Sequence, residues 1–305
     1  MKKVSSLFAM CAALGFAEEK PVPQSLLPVI NGITQTVEVY KQTPQGDLEI
    51  FIHTPDRTAS EKLPALLYFH GGGWKNGHPR SLRKTMSYYA DRGMVAIAVQ
   101  YRVSETHGTT PEESLLDAKS AYRWVVENAV RLNIDTNRIV TGGGSAGGHL
   151  AVALYLCDNI DEPDASIEIK PAGYILFNPV LDSRPDQFSI IPKELYEDIS
   201  PLKNIRKEKA MAPSVVMFGD QDKLFDGTKL FVEELGKLGV HNMDVYIYPG
   251  HTHTFFNLAF GGVQIESDTT WLAEKFLQDH GFITGEPVAQ SFEKELNRYR
   301  WNGKE

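Results

Sequence analysis

The pentapeptide Gly143-Gly144-Ser145-Ala146-Gly147 constrains this chain more than any other feature. It follows the apolar run Arg138 to Thr141 and precedes a helical pattern starting at Ala146. A strand that turns into a helix over three residues needs a sharp corner. Glycines two before and two after the serine remove the β-carbons that would collide there. The serine at the corner is forced into a strained backbone conformation with its hydroxyl raised above the sheet. The helix start behind it favours negative charge. The simpler explanation, a glycine turn capped by serine, has to be weighed against a second motif.

That motif is His70-Gly71-Gly72-Gly73-Trp74, directly after the apolar run Leu63 to Phe69. Consecutive glycines let backbone N–H groups face a reacting carbonyl without obstruction, as an oxyanion hole requires. The expected donors are the amides of Gly72, Gly73 and Ala146. A nucleophilic serine also needs a base, and the base needs a carboxylate to orient it. Two late loops supply both. Val215 to Phe218 leads into Gly219-Asp220-Gln221-Asp222, and Val245 to Tyr248 leads into Pro249-Gly250-His251-Thr252-His253. Spacing alone leaves Asp220 against Asp222, and His251 against His253.

The rest of the chain fits a sheet of this kind. Thr36 to Tyr40 and Leu48 to His53 alternate apolar and polar residues about Gln45-Gly46, which predicts an antiparallel hairpin. The later runs, from Leu63 to Tyr248, lack alternation and suit strands buried on both faces. Helical patterns at 81–92, 111–131, 146–158, 226–238 and 267–281 lie between or after them, which predicts an α/β fold. Pro111 followed by Glu112 and Glu113 marks a helix start. The connection 178–213, with five prolines, and the lead-in 18–35 are the expected cap and substrate walls. His149 and Asp117 are expected to be packing and anchoring residues. His251 and His253 have no third ligand near them, and no metal or cofactor is implied.

Composition sets outer bounds. The 305 residues carry a net charge of −8, which argues against nucleic acid as a partner. Lys2 and Lys3, an apolar run from Leu7 to Ala17, and small residues Gly15 and Ala17 predict a signal peptide over 1–17. That run is too short to span a bilayer, so no integral membrane segment is expected in the mature chain. Cys11 suggests a lipid anchor, but Met10 stands where such a site wants a small residue. Cleavage leaves one domain, 18–305, exported to the periplasm or medium. It would hold a single cysteine, Cys157, in an apolar run and unable to form an intrachain disulfide.

The stretch from Gly143 to Ala151, together with His-Gly-Gly-Gly-Trp, resembles the acetyl esterase/lipase group of α/β-hydrolases, in the hormone-sensitive-lipase-like branch. Phe177 to Asp182, Ile199 to Leu202 and Phe255 to Asn257 look similar as well. The resemblance covers roughly residues 35–285. It implies a mostly parallel eight-stranded sheet with helices on both faces, and a cofactor-free ester hydrolase. It assigns the acid to Asp222 and the base to His253, with Ser145 as nucleophile. Two positions depart from the pattern. Gly144 stands where many members carry Asp or Glu, and Thr254 follows the histidine. Gly144 recurs among members acting on acetylated or feruloylated carbohydrates. The expected activity is therefore short-chain ester hydrolysis, on a small-molecule or carbohydrate ester, with feruloyl esters as an alternative. A prolyl-oligopeptidase-like peptidase would need a propeller that the 69 residues before His70 cannot form. A non-catalytic binding domain on this fold would be expected to lack one of the three residues.

Overall fold

The computed structural model describes residues 25–56, 61–163, 165–209, 211–301 and 303. The predicted signal peptide lies outside the described residues. In chain order the strands are β1 (Ile33–Thr43), β2 (Gly46–Pro55), β3 (Leu63–Phe69), β4 (Val95–Val99), β5 (Ile134–Gly144), β6 (Gly173–Phe177), β7 (Ser214–Gly219), β8 (Met243–Tyr248) and β9 (Tyr299–Trp301). The helices are α1 (Arg83–Asp91), α2 (Ser104–His107), α3 (Pro111–Glu127), α4 (Ala146–Leu156), α5 (Tyr196–Ile199), α6 (Phe225–Lys237) and α7 (Leu258–Asp279).

The nine strands of the described residues join one sheet in the order β1-β2-β4-β3-β5-β6-β7-β8-β9. β1 and β2 form the antiparallel hairpin, and β2 runs antiparallel to β4. From β4 through β8 every pairing is parallel. The expected eight strands become nine because Tyr299–Trp301 pairs antiparallel with β8. Three residues are too few to show a period, so the sequence carries no signal for β9.

β3, β4, β6 and β7 are buried on both faces, as unbroken apolar runs require, whereas β8 leaves Met243, Asp244 and Tyr246 half-buried. In β3, Ala65, Leu67 and Phe69 pack with α3, α4 and α6, whereas Leu66 and Tyr68 pack with α1 and α7. One-residue alternation along a strand thus feeds two cores, one on each side of the sheet.

Helix ends follow local chemistry. Thr110 caps α3, and Glu113 reaches back to accept from the Thr110 N–H at 2.8 Å, a capping box with Pro111 in the first turn. The helix stops at Glu127, four residues before the expected end, and the chain turns through Asn133 at φ 55° into β5. α1 is preceded by a 3-10 turn from Pro79, whose Arg80 N–H donates to His78 Nδ1. α7 begins nine residues earlier than predicted, across a kink at Gly262, where φ is 80°. Helical periodicity cannot run through a left-handed residue, so only the part after the kink shows in the sequence.

Candidate active site

β5 ends at Gly144, and α4 starts at Ala146. Ser145 between them has φ 55° and ψ −120°, a conformation that L-residues adopt rarely and under strain. Its N–H donates to Phe177 O at 2.9 Å, and its carbonyl accepts from His149 N–H at 3.0 Å. A β-carbon at Gly147 would lie 2.1 Å from Phe69 O. One at Gly143 would lie 2.6 Å from the same oxygen. These contacts are the physical reason for glycine at both places.

The other predicted residues converge on this corner. His253 Nε2 lies 2.8 Å from Ser145 Oγ, and His253 Nδ1 lies 2.7 Å from Asp222 Oδ2. Asp222 is almost fully buried after β7, and its other oxygen accepts from Leu224 N–H at 3.0 Å. Hydroxyl, imidazole and carboxylate stand in series across loops after β5, β8 and β7. Such a series can move a proton from the hydroxyl to the ring while the carboxylate fixes the ring's tautomer.

The alternatives lie outside it. Asp220 Oδ1 accepts from Gly250 N–H at 2.8 Å, tying the acid loop to the histidine loop. His251 contributes its carbonyl, which accepts from Gln221 N–H at 3.0 Å.

The glycine loop after β3 faces Ser145. A β-carbon at Gly71 would stand 3.1 Å from Gly144 O and 3.6 Å from Ser145 Cβ. Gly72 has φ 126°, and a β-carbon there would lie 2.0 Å from Asn76 O. The carbonyl of Gly72 accepts from the N–H groups of Lys75 and Asn76. The Gly72 and Gly73 amides donate to no other backbone carbonyl among the described residues. Ala146, as first residue of α4, has no intrahelical partner for its N–H.

The loop is held from behind. Tyr101 O–H donates to His70 O at 2.7 Å, and its ring stacks on His70 at 4.2 Å between centroids. Ser104 N–H donates to Trp74 O at 2.9 Å. Just before it, the Arg102 backbone N–H and guanidinium both donate to Asp117 of α3. Lys41 joins the same carboxylate at 2.9 Å, so Asp117 anchors this region. His149 is fully buried, and its Nε2 lies 2.9 Å from Ile199 O. Burial lowers the pKa of both His70 and His149 to about 4. Both rings are therefore neutral around pH 7. Burial also pushes the Cys157 thiol up to about 12, as expected for a packing residue.

Ser145 and His253 open into a cavity of about 750 Å³. Its walls correct one expectation. Among the described residues of the connection 178–213, Asn178 alone lines the cavity. Ile191, Leu195 and Ile199 are buried in the core instead, and Phe188 packs edge-on against Trp74. Apolar residues mixed with polar ones satisfied a wall and a core flank equally well. The wall comes from α1, the start of α7 and the lead-in residue Leu27. Lys84 and Glu266 form an ion pair at 2.9 Å between these two helices, and Ser25 O–H also donates to Glu266. Tyr68, Phe256 and Thr269 are further lining residues that sequence reasoning missed. Tyr68 sits at the carboxyl end of a parallel strand, where ligands commonly bind, and that position was the available signal.

Among the described residues no group of three or more His, Cys, Asp or Glu could hold a metal ion. No helix among them is long and apolar enough to cross a membrane.

Comparison with known proteins agrees with this fold. The family model described as BD-FAE matches residues 50–183. The chain is similar to esterase 2 of the planctomycete Thermogutta terrifontis, solved with propionate bound: 33% identity, 85% of this chain and 98% of that one covered, TM-score 0.75. The same enzyme has been solved with butyrate bound and phosphorylated by paraoxon. The chain is also similar to an ethyl acetate hydrolase of Pseudomonas putida, 29% identical over 227 residues, covering 67% of this chain and 69% of the relative. Esterase LipC of Mycobacterium tuberculosis is 23% identical over 284 residues, covering 83% of this chain and 69% of that protein. A third of residues identical along nearly the whole of a solved esterase, on the same sheet, settles the family: the chain belongs to the esterase/lipase group of the α/β-hydrolases and is a serine hydrolase acting on carboxylic esters.

Proposed function

We propose that this is an exported serine carboxylesterase that removes short acyl groups, acetyl above all, from carbohydrate esters through an acyl-enzyme. The observation that carries the reading is the continuous series Ser145 Oγ, His253, Asp222, with contacts of 2.8 and 2.7 Å, at the edge of the cavity. Ser145 Oγ attacks the ester carbonyl as His253 Nε2 takes its proton. The tetrahedral oxyanion lies against the amides of Gly72, Gly73 and Ala146. His253 then gives its proton to the departing alcohol as the carbon–oxygen bond breaks. A water, deprotonated by the same nitrogen, attacks the acyl carbonyl; as the bond to Ser145 Oγ breaks, His253 returns the proton to that oxygen and the acid leaves. Asp222 holds the ring's tautomer and stabilises the imidazolium.

The substrate reading rests on the walls. Ser81, Thr85, Thr269, Thr270 and the Lys84–Glu266 pair stand beside Leu82, Phe177 and Phe256. That mixture suits a hydroxyl-rich alcohol better than a long aliphatic chain. The relatives support a short acyl group: one hydrolyses ethyl acetate, and another holds propionate or butyrate. The predicted signal over 1–17 would bring the enzyme to extracellular polymers. Sequencing the mature N-terminus should give a start near Glu18, and a retained Met1 would remove export from the proposal.

The experiment compares kcat/KM for esters of two to four acyl carbons with those of ten to sixteen. It then measures acetate release from acetylated xylo-oligosaccharides, with a feruloyl ester alongside. Short-chain preference with acetate release is expected. Preference for long chains overturns the short-acyl reading. Activity on aryl acetates without acetate from any sugar removes the carbohydrate part.

A further inference from the structure

Asn178 follows β6, and neither the family nor the reaction above gives it a task. Its backbone is unusual, with φ 35°, and is pinned by its N–H donating to Met217 O at 2.8 Å. The residue is fully buried from bulk solvent, yet its side chain borders the cavity beside Ser145. Asn178 Nδ2 lies 3.1 Å from His253 Nδ1 and 3.2 Å from His253 Nε2. An atom so close to both ring nitrogens cannot lie in the ring plane, because it would collide with the ring carbon between them. The amide is therefore stacked on the face of the imidazole. Both in-plane positions are already taken, Nδ1 by Asp222 and Nε2 by Ser145. Asn178 Oδ1, meanwhile, is buried without a hydrogen-bond partner.

We infer that Asn178 is a positioning residue that sets the proton affinity of His253, through an amide dipole held on the face of its ring. Over the neutral ring an N–H toward the π-face is weakly favourable. When the ring takes the proton from Ser145 it becomes a cation, which repels the N–H and attracts the carbonyl oxygen. The terminal torsion of asparagine is soft, and a half-turn exchanges the two ends within nearly the same shape. The partnerless oxygen then has a positive ring to face. Among the groups in contact with His253 in the described residues, Asp222 is the charged one. The Lys84–Glu266 pair farther along the cavity wall is already matched in sign. Asparagine also suits the backbone here, being among the few side chains at ease at positive φ.

The inference rests on the proposed roles of Ser145 and His253, so Ser145→Ala is run beside it. If that variant keeps wild-type turnover of an aryl acetate, the underlying reading fails; if it is dead, the Asn178 test stands alone. Two variants keep the positive φ accessible. Asn178→Gly deletes the amide, and Asn178→Asp keeps its shape but carries negative charge when ionised. For Asn178→Gly, kcat should fall about tenfold with KM within about twofold, and the acid limb of kcat/KM should move down by about half a pH unit. For Asn178→Asp the acid limb should move up. A merely structural role would lower activity without moving the limb. An unmoved acid limb in Asn178→Gly overturns the inference whatever happens to kcat. If that variant does not fold, an unmoved limb in Asn178→Asp overturns it.

Discussion

The floor beneath Ser145 and the wall above it are built differently. At the floor, backbone meets backbone: a β-carbon on Gly147 would come within 2.1 Å of Phe69 O and 2.5 Å of His70 O. At the wall, side chains set the limits. A β-carbon on Gly144 would meet the ring of Phe256, with Cζ at 2.8 Å. Backbone held in a sheet cannot give way, whereas a ring at a cavity edge can rotate or shift. The floor is thus fixed by geometry that admits one residue type, and the wall by packing that admits several.

The largest effects should come from the groups the floor presents. Ser145→Ala should lower kcat/KM at least about a thousandfold while leaving the melting temperature nearly unchanged, because it removes chemistry and not packing. His253→Ala and Asp222→Asn should also lose orders of magnitude. Asp220→Asn and His251→Ala should stay within a few-fold, because Asp220 contributes a loop contact and His251 a backbone carbonyl. Steady-state kinetics on an aryl acetate checks the ranking. An inactive His251→Ala beside an active His253→Ala would reverse the assignment.

The comparison itself is broken or sharpened by two alanines. Gly147→Ala drives a methyl into two carbonyl oxygens of the β3 loop and should cost about 3 kcal/mol or more in stability. Gly144→Ala need only displace the edge of Phe256. It should fold with a melting temperature within a few degrees of wild type and change the relative rates on acyl esters of different length. Thermal unfolding with kinetics on two- and four-carbon esters separates these outcomes. Equal stability of the two variants would mean that the floor yields as easily as the wall.

The same contrast explains what could be read from the sequence. The floor was legible because forbidden β-carbons leave glycines, and glycines at fixed spacing are a signature. The parallel core was legible from Leu63 to Phe69 and its counterparts, because burial on both faces selects apolar runs. The roles of the two late loops needed the family resemblance, since Asp220 and Asp222 follow β7 at nearly the same distance. Of the wall, the lead-in was legible: Leu27 lies within the expected stretch 18–35 and lines the cavity. Lys84, Phe256 and Glu266 were not, because no periodicity marks side chains that meet only across a cavity. The stretch around Phe188 and Tyr196 looked equally suited to line it, but those residues lie against the core and Asp182. Asn178 lies within Phe177 to Asp182, which carries part of the family resemblance, yet its position over the His253 ring depends on how the loops after β6 and β8 meet.

The smallest effect concerns how the floor responds to acid. His70 and His149 stand behind the glycine loop and within α4, and burial lowers both to about 4. In the unfolded chain each would titrate near ~6.5. Between those values the unfolded state binds more protons than the folded one, so stability rises with pH across that window. Read downward, stability is intact above the unfolded value, falls as the pH drops from about 6.5 toward 4, and loses nothing more to these two groups below that. His149→Gln removes one of the pair and retains an N–H that can donate to Ile199 O. Its baseline stability should drop slightly, because the ring no longer packs edge-on to Trp74 at 5.0 Å. The slope of unfolding free energy against pH should become shallower by up to about 1.4 kcal/mol per pH unit, one proton's worth. Urea unfolding at half-unit intervals from pH 4.5 to 7 measures that slope. An unchanged slope would show that His149 takes up its proton within the fold, and that the floor is less dry than its packing implies.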